Sequence, residues 1–422
     1  MISLSSAITG RVLLPGDVAF EQATRPWNLA IEQRVSAVVE AASADDVAAA
    51  VKYAKANGLT VTAQPSGHGA SGDTDGVILI RTSALTHLDV RPADRLAVAG
   101  AGVKWGQVLA EAGPHGLVGM AGSSPAVSVT GYTLGGGLSW FSRAHGFASD
   151  SVHAFQIVDA DGERARVSAD SDPELFWALK GGGGDFALVT EVEFDLHPAP
   201  ELYGGRVVWH AERTEEVQAA FREITEQAPE KLTVWLDLLR FPGAPPMVAI
   251  DATYLGSAAE GAELLRPLDR ITGAMSDGRG LVEIAKLGDI TGEPVDPSAG
   301  NSHAELLTEL DDRALLDIPV EPLLSVQVRH LGGALSWASD SAAGTLAEPY
   351  LLYLFGIPGE GVSERQAEFA QAQPTSGRKP YTFLKPGESA TQAFAPKTIE
   401  RLREIKRRRD PNSVFRANYP VL

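Results

Sequence analysis

The first half of the chain alternates between short apolar runs and amphipathic stretches. Residues 35–40 form a short run rich in β-branched valine, which predicts a strand. Apolar residues then recur at helical spacing from Val47 to Ala54, behind Ser43 as the predicted N-cap and Asp46 as its partner carboxylate. Further short strands and helices follow as far as residue 196. This half is therefore predicted to be a mixed α and β unit.

The second half has longer helices between its strands. Strands are predicted at residues 206–209, 232–239, 247–254, 324–330 and 350–355, and helices at residues 215–227, 259–270 and 395–409. This pattern indicates a sheet that helices cover on one side. The run His197-Pro198-Ala199-Pro200 marks a boundary between the two halves.

Length and charge narrow the class of protein. A chain of 422 residues is longer than one compact hydrophobic core usually accommodates, so two domains are expected. The net charge of −18 disfavours nucleic acid and anionic membrane surfaces as partners. We interpret the basic run Lys406-Arg407-Arg408-Arg409 as the solvated end of a helix. No run approaches the roughly 18 apolar residues of a membrane span.

The chain contains no cysteine, which excludes disulfides and thiolate chemistry. This composition fits a reducing compartment, and residues 1–15 lack the pattern of a secretory signal. We therefore expect a cytoplasmic protein.

Several common functional motifs are absent or weak. The glycines of Gly100-x-Gly102-x-x-x-Gly106 follow a strand and open a helix, but their spacing is one residue too long for a dinucleotide fingerprint. A packed turn is the preferred interpretation. The run Gly181–Gly184 lacks the Lys-Ser/Thr of a P-loop. The nine histidines show no metal-ligand spacing, so no metal site is predicted.

His68 has a distinctive setting. It lies in the loop Gln64-Pro65-Ser66-Gly67-His68-Gly69-Ala70-Ser71-Gly72, where small residues allow backbone N–H groups to approach an anion. An imidazole in such a loop can be held against a cofactor and act as a nucleophile.

With three further stretches, this loop resembles the FAD-linked oxidases of the vanillyl-alcohol oxidase superfamily, in their berberine-bridge-enzyme-like branch. The four stretches are Pro65-Ser66-Gly67-His68, residues 122–137, residues 146–150 with 175–186, and residues 410–418. The resemblance implies an α+β fold, with a two-subdomain FAD-binding domain of PCMH type and a substrate domain whose antiparallel sheet is backed by helices. It divides the chain into an FAD-binding domain (1–199), a substrate-binding domain (200–394) and a C-terminal segment (395–422) that returns to the first domain.

The resemblance also implies site residues. His68 would bond the flavin covalently, and Ser124 stands where many relatives have a second, cysteine attachment, so a single bond is expected. Val127 would control oxygen access, Val189 would lie near the adenine, and Asn418 would touch the isoalloxazine or its ribityl chain. The predicted cofactor-binding residues are Ser66, Gly67, His68, Gly69, Ala70, Ser124, Val127, Ser128, Gly131, Thr133, Gly135, Gly136, Asp150, Val189 and Asn418.

The substrate side resembles the family less. The C-terminal substrate motif keeps only its first tyrosine, Tyr381. Two interpretations of Tyr381 stay open, a catalytic acid or base and a side chain that only packs. Gln327 and Arg329 share one face of a predicted strand and His330 lies on the other, but the sequence leaves open which face looks at the flavin.

We therefore expect an FAD-dependent oxidase that moves hydride from a small alcohol or amine to covalent flavin, with molecular oxygen as the acceptor. The alternatives are a flavin dehydrogenase with another acceptor and a flavin-binding protein that has lost catalysis. The substrate is not identified by the sequence. A monomer or a homodimer is equally compatible with it.

Overall fold

The computed structural model describes residues 4–422; residues 1–3, part of the segment examined for a secretory signal, lie outside the described range. Three main sheets and their helices form a mixed α and β molecule, which confirms the predicted fold class. The first two sheets use strands up to Asp195, and the third uses strands from Leu202 to Gly356. The exact domain boundaries stay a prediction.

The first sheet supports the His68 loop. Its four strands lie in the order Arg11–Leu13, Ala37–Glu40, Val77–Arg81 and Thr60–Ala63. The last three strands are parallel, and helix Ala44–Ala56 packs beside them. Ser43 caps this helix as predicted, because its hydroxyl accepts a hydrogen bond of 3.3 Å from the Asp46 amide. The predicted return contact of the Asp46 carboxylate is wrong: this carboxylate accepts instead from the amides of Thr9, Gly10 and Ala42 at 2.7, 2.9 and 2.8 Å.

The second sheet is antiparallel. Its five strands lie in the order Leu88–Arg91, Leu96–Gly100, Leu188–Asp195, Val152–Val158 and Arg164–Ser168. Helices Trp105–Ala112, Val129–Leu134, Ser142–His145 and Pro173–Leu179 surround it. The Gly100 to Gly106 segment is a packed turn, because a Cβ on Gly100 would lie 2.3 Å from the carbonyl oxygen of Leu85.

The third sheet is also antiparallel. Its main strands lie in the order Ser276–Asp277, Leu202–His210, Met247–Leu255, Leu232–Leu239, Ser325–His330, Tyr350–Gly356 and Asn301–Leu307, and Gly280–Leu281 pairs with the second of these. Helices Thr214–Gln227, Ala258–Leu264, Asp312–Asp317 and Val362–Ala372 accompany this sheet. Apolar side chains such as Phe221 and Phe369 fill the core between helices and sheet.

Two local predictions need correction. The helix predicted over residues 259–270 breaks into Ala258–Leu264 and a 3₁₀ turn, Arg266–Arg270, at Pro267, whose ring nitrogen has no N–H to donate. The basic run was also misjudged in part. Helix Pro396–Arg409 does end there, but Lys406 is buried rather than solvated.

The C-terminal segment returns to the first sheet. Val61 donates a 2.7 Å hydrogen bond to the carbonyl of Val414, and Arg416 donates one of 2.9 Å back to Val61. Residues 414–416 therefore lie beside the strand that leads into the His68 loop. Within residues 4–422, no helix is both long and apolar enough to cross a bilayer.

Candidate active site

The His68 imidazole is held on two sides. Ser66 Oγ lies 2.8 Å from Nδ1, and the Trp27 ring stacks on the imidazole with centroids 4.2 Å apart and planes 16° apart. Burial, helped by the positive charge of Lys104, lowers the pKa of His68 to about 4, so the ring is neutral near pH 7. Its Nε2 atom is buried and has no hydrogen-bond partner among residues 4–422. A neutral imidazole with one free nitrogen can act as a nucleophile or accept a proton.

Gly67 allows the chain to approach this histidine closely. Its φ is +83°, and a Cβ there would lie 2.8 Å from Cβ of Pro26. At Gly69, by contrast, an added Cβ would meet nothing within 4 Å. Glycine is therefore required at the first position by both conformation and space, and not by space at the second.

A second set of predicted cofactor residues forms one continuous segment. Ser124, Val127 and Ser128 lead into helix Val129–Leu134, and the carbonyl oxygen of Val127 accepts a 3.0 Å hydrogen bond from the Trp105 amide. Gly131 and Thr133 lie within this helix, and Gly135 and Gly136 follow it directly. The structure therefore places all seven predicted residues of this stretch together.

Buried polar atoms without partners cluster at this segment. Thr130 Oγ1 and Tyr132 OH, both on helix Val129–Leu134, have no hydrogen-bond partner within residues 4–422, and neither has Ser149 Oγ. Ser149 is adjacent, because its amide donates a 2.9 Å hydrogen bond to the Gly136 carbonyl. Such atoms suit a bound polar group, since burying a polar atom without a partner is costly. The residues present thus fit a cofactor such as FAD.

Asp150 and Val189 are both engaged in contacts within the fold. Asp150 accepts hydrogen bonds of 2.9 Å from the Phe147 amide and 2.6 Å from Ser339 Oγ, so it joins its own turn to a loop after the third sheet's strand Ser325–His330. Val189 is buried in strand Leu188–Asp195. The contacts of both are structural within this chain, and their roles toward flavin stay predictions.

Asn418 brings the C-terminal segment to the His68 loop. Its Oδ1 accepts a 3.2 Å hydrogen bond from Nε2 of buried Gln64, which also donates to Gln33 at 2.6 Å. Gln64 begins the glycine-rich loop. The predicted cofactor residues at the two ends of the chain are therefore brought together.

Tyr381, the candidate acid or base, has the contacts of a packed side chain. Its hydroxyl donates a 2.8 Å hydrogen bond to the carbonyl of Tyr419, and a Cβ on Gly183 would lie 2.6 Å from that oxygen. Burial raises the pKa of Tyr381, and the nearby Asp185 charge adds to the effect. Its catalytic assignment stays a prediction.

Gln327 and Arg329 lie on the sheet face that looks toward the glycine-rich segment. Arg329 Nε donates a 2.5 Å hydrogen bond to Gln327 Oε1, and its guanidinium lies 4.0 Å from the centroid of the Trp235 ring. Trp235 in turn stacks on Trp140, three residues after Gly137, with centroids 3.5 Å apart. His330 lies on the other face. Gln327 and Arg329 therefore lie on the face that contacts Trp140 through Trp235, and which face looks at the flavin stays a prediction.

Three charged residues of this face were missed by the sequence prediction. Arg206 forms a bidentate pair with Asp251 at 2.5 and 2.7 Å and contacts Asp237 at 3.2 Å. Asp237 also accepts a 2.6 Å hydrogen bond from Ser325 Oγ and a 3.4 Å one from Gln327. A chain of polar contacts thus runs from Arg206 to Gln327.

Burial sets the charge state of this network. It raises the pKa of Asp237 to about 7, even though Arg206 acts in the opposite direction, and it also raises the pKa of Asp251. The available signal was an aspartate as the one charged residue of each strand, Leu232–Leu239 and Met247–Leu255. Unpaired aspartate is unusual in a buried strand.

Residues 35–168 match the family described as FAD binding domain. The chain thus carries an FAD-binding domain and is homologous to FAD-linked oxidoreductases, which confirms the resemblance found in the sequence.

Individual proteins show more closely what the chain is similar to. The chain is 34% identical over 206 residues to (R)-6-hydroxynicotine oxidase of Paenarthrobacter nicotinovorans, a match that covers 48% of this chain and 45% of that protein. The chain therefore spans about half the length of this curated relative. The crystal structure of 6-hydroxy-D-nicotine oxidase from Arthrobacter nicotinovorans superimposes with a TM-score of 0.86 at 24% identity, covering 100% of this chain and 99% of the other. The BBE-like 1 protein of Physcomitrella patens gives 0.87 at 18% identity, covering 99% and 98%. At these identities the solved structures establish the fold alone.

Proposed function

We propose that the protein is an FAD-dependent oxidase that carries its flavin on His68 and oxidises a small alcohol or amine. One observation carries this proposal: a neutral imidazole with an unpartnered nitrogen lies in a small-residue loop within a domain that matches the FAD-binding family. FAD, when bound, supplies the hydride acceptor, and the protein supplies position and electrostatics.

The cofactor side of the site would be held by the two glycine-rich segments. Main-chain N–H groups of residues 66–70 and 128–137 would bind the pyrophosphate, because closely spaced backbone amides form anion-binding concavities. Tyr132 would keep its proton, since burial raises its pKa, and could therefore donate a hydrogen bond to a flavin oxygen.

The substrate side would be the polar face of the third sheet. Arg329 is buried and lies over Trp235, so it can orient an electron-rich group of a small substrate. Gln327 hydrogen-bonds to both Arg329 and Asp237. When a substrate loses a proton from an O–H or N–H group, this network would therefore offer the proton an acceptor. Among the predicted catalytic residues, Gln327 and Arg329 are better supported than Tyr381, whose hydroxyl is already engaged.

Molecular oxygen is the proposed acceptor. Val127 is half-buried beside the core around Trp105 and is small enough to leave a path for oxygen. The name of the relative (R)-6-hydroxynicotine oxidase agrees with an oxidase rather than a dehydrogenase. A cytoplasmic location and a monomeric or homodimeric state stay predictions.

Two measurements test the proposal. After acid precipitation of purified protein, yellow colour in the pellet and a flavin mass on the peptide containing His68 are expected, and His68→Ala should release its flavin into the supernatant. A screen of alcohols and amines should then release hydrogen peroxide. Colourless protein would refute flavin binding. Fast anaerobic reduction by substrate with very slow reoxidation in air would instead indicate a dehydrogenase.

A further inference from the structure

Trp27 is tied to the His68 loop by three separate contacts. Its ring stacks on the imidazole, and its amide donates a 2.9 Å hydrogen bond to the carbonyl of Ser66. The missing side chain of Gly67 leaves the space that Pro26 and the Trp27 amide occupy, because a Cβ there would lie 2.8 and 3.2 Å from their atoms. These contacts fix the position of the Trp27 ring relative to the His68 loop.

The segment that contains Trp27 is also hydrogen-bonded to the loop that precedes strand Asn301–Leu307 of the third sheet. Ser298 donates a 3.2 Å hydrogen bond to the Trp27 carbonyl and accepts one of 3.0 Å from the Leu29 amide. The Asn28 side chain makes two further bonds to the backbone of Gly300, at 3.0 and 3.1 Å. Residues 27–29 thus lie between the loop of residues 295–300 and the histidine.

Arg81 fixes the other end of the same segment. This buried guanidinium donates to the carbonyls of Ala23 at 3.0 Å, Arg25 at 2.7 Å and Gln64 at 3.3 Å. It therefore joins the chain before Trp27 to the first residue of the His68 loop. The ring and the imidazole are held in one relative orientation from both ends.

We propose that Trp27 is a positioning residue for the covalent attachment of flavin, holding the His68 ring in the plane from which its nitrogen reaches the flavin methyl carbon. This inference rests on the proposed function. A stacked indole limits rotation of the imidazole without using either ring nitrogen, whereas a hydrogen bond would occupy one.

Attachment would oxidise the flavin methyl carbon and reduce the flavin ring by two electrons. A ring nitrogen of His68 bonds to the 8α methyl carbon, one C–H bond of that methyl and the imidazole N–H are broken, and the electron pair with both protons ends on the flavin, which is reduced. Molecular oxygen, the acceptor already proposed, then takes two electrons and two protons and leaves as hydrogen peroxide. Burial keeps the imidazole neutral, so that one ring nitrogen carries no proton and can form the new bond.

The experiment follows flavin attachment and not turnover. Protein prepared without flavin is mixed with FAD in air, and samples are denatured at intervals to separate peptide-bound from released flavin. Trp27→Ala should bind FAD but attach it about three- to tenfold more slowly, the range that loss of one aromatic stack allows. Trp27→Phe keeps a stacking ring and should attach flavin near the wild-type rate. Trp337→Ala, which removes a 54% exposed indole elsewhere, is the matched control and should behave like wild type.

The outcomes separate this inference from the proposed function. Wild-type attachment together with an equally fast Trp27→Ala would overturn the role of Trp27 and leave the proposed function standing. Loss of all flavin from Trp27→Ala, attached or released, would also overturn it, because the residue would then serve binding. A wild-type protein that never attaches flavin would overturn both. If Trp27→Ala does not fold, Trp27→Leu gives the same comparison with a larger apolar side chain.

Discussion

Lys406 donates a 2.7 Å hydrogen bond to the main-chain oxygen of Asp185, which lies 221 residues earlier in the chain. The same ammonium group bonds Asp410 and the carbonyl of Phe415, each at 2.8 Å. The carboxylate of Asp185 accepts from the amides of Ala417 and Val421 at 3.0 and 2.9 Å. One buried cation therefore connects the glycine run at 181–184 to the segment that carries Asn418.

Replacing this cation should destabilise the protein strongly. Lys406→Met leaves the buried carboxylates of Asp410 and Asp185, which lie 2.8 and 3.5 Å from the ammonium group, without a cation. Breaking a buried ion pair in this way costs about 3–5 kcal/mol. The free energy of unfolding in urea would measure the loss. Arg407→Met, at the exposed neighbouring position, is the control and should change stability by less than about 0.5 kcal/mol. Similar values for the two variants would show that Lys406 contributes no more than a surface residue.

Much of the architecture could be predicted because its signals are local. Alternation and β-branched runs placed the strands Leu232–Leu239 and Ser325–His330 to within one residue, and the helix predicted over residues 395–409 is observed as Pro396–Arg409. The small-residue loop around His68 is likewise a contiguous pattern. Strand Asn301–Leu307 was missed because asparagine, serine, histidine and glutamate interrupt it at the edge of its sheet.

The contacts that shape the site could not be predicted because they join distant parts of the chain. Nothing local relates Trp27 to His68, or either of them to Ser298. The burial of Lys406 was hidden by three neighbouring arginines, which made the run look like a solvated helix end. Charge patterns describe a surface, whereas this lysine is buried by its contact with Asp185, 221 residues earlier, together with Asp410 and Phe415.

Gly67 and Gly69 offer a comparison within one loop. Gly67→Ala should lower the free energy of unfolding by about 1–3 kcal/mol, because alanine is strained at a φ of +83°. The added Cβ would also press on Pro26 and shift Trp27, so slower flavin attachment is expected as well. Denaturation and flavin released on acid precipitation measure the two effects. Gly69→Ala has open space around its Cβ within the chain and should keep the free energy of unfolding of the wild type; an equal loss of stability in the two variants would contradict the packing argument.

Val127 gives a kinetic prediction that rests on the proposed oxidase activity. Val127→Ile adds a methylene group beside the proposed oxygen path and should slow reoxidation of the reduced enzyme by oxygen. Anaerobic reduction by substrate should keep its rate, since the change does not touch the polar face of the third sheet. Stopped-flow absorbance of the flavin resolves the two half-reactions. An unchanged reoxidation rate would exclude Val127 as the gate.

The buried carboxyl of Asp237 should give the protein a distinctive dependence of stability on pH. Burial raises its pKa to about 7, above the value of about 3.9 expected in the unfolded chain. Between these values the folded state holds the Asp237 proton and the unfolded state does not, so the contribution of Asp237 to the free energy of unfolding falls as pH rises from about 4 to about 7. Buried His68, His197 and His330, whose pKa values are lowered, contribute in the opposite direction, and the slope of Asp237 is therefore seen as a difference between variants. At its steepest, one such group contributes a loss of roughly 1.4 kcal/mol per pH unit. Asp237→Asn cannot ionise and should remove this part of the slope, whereas Asp340→Asn at an exposed position should keep it. Urea denaturation of the three proteins across this pH range measures the slopes. Equal slopes for wild type and Asp237→Asn would show that Asp237 stays ionised beside Arg206 in the folded protein.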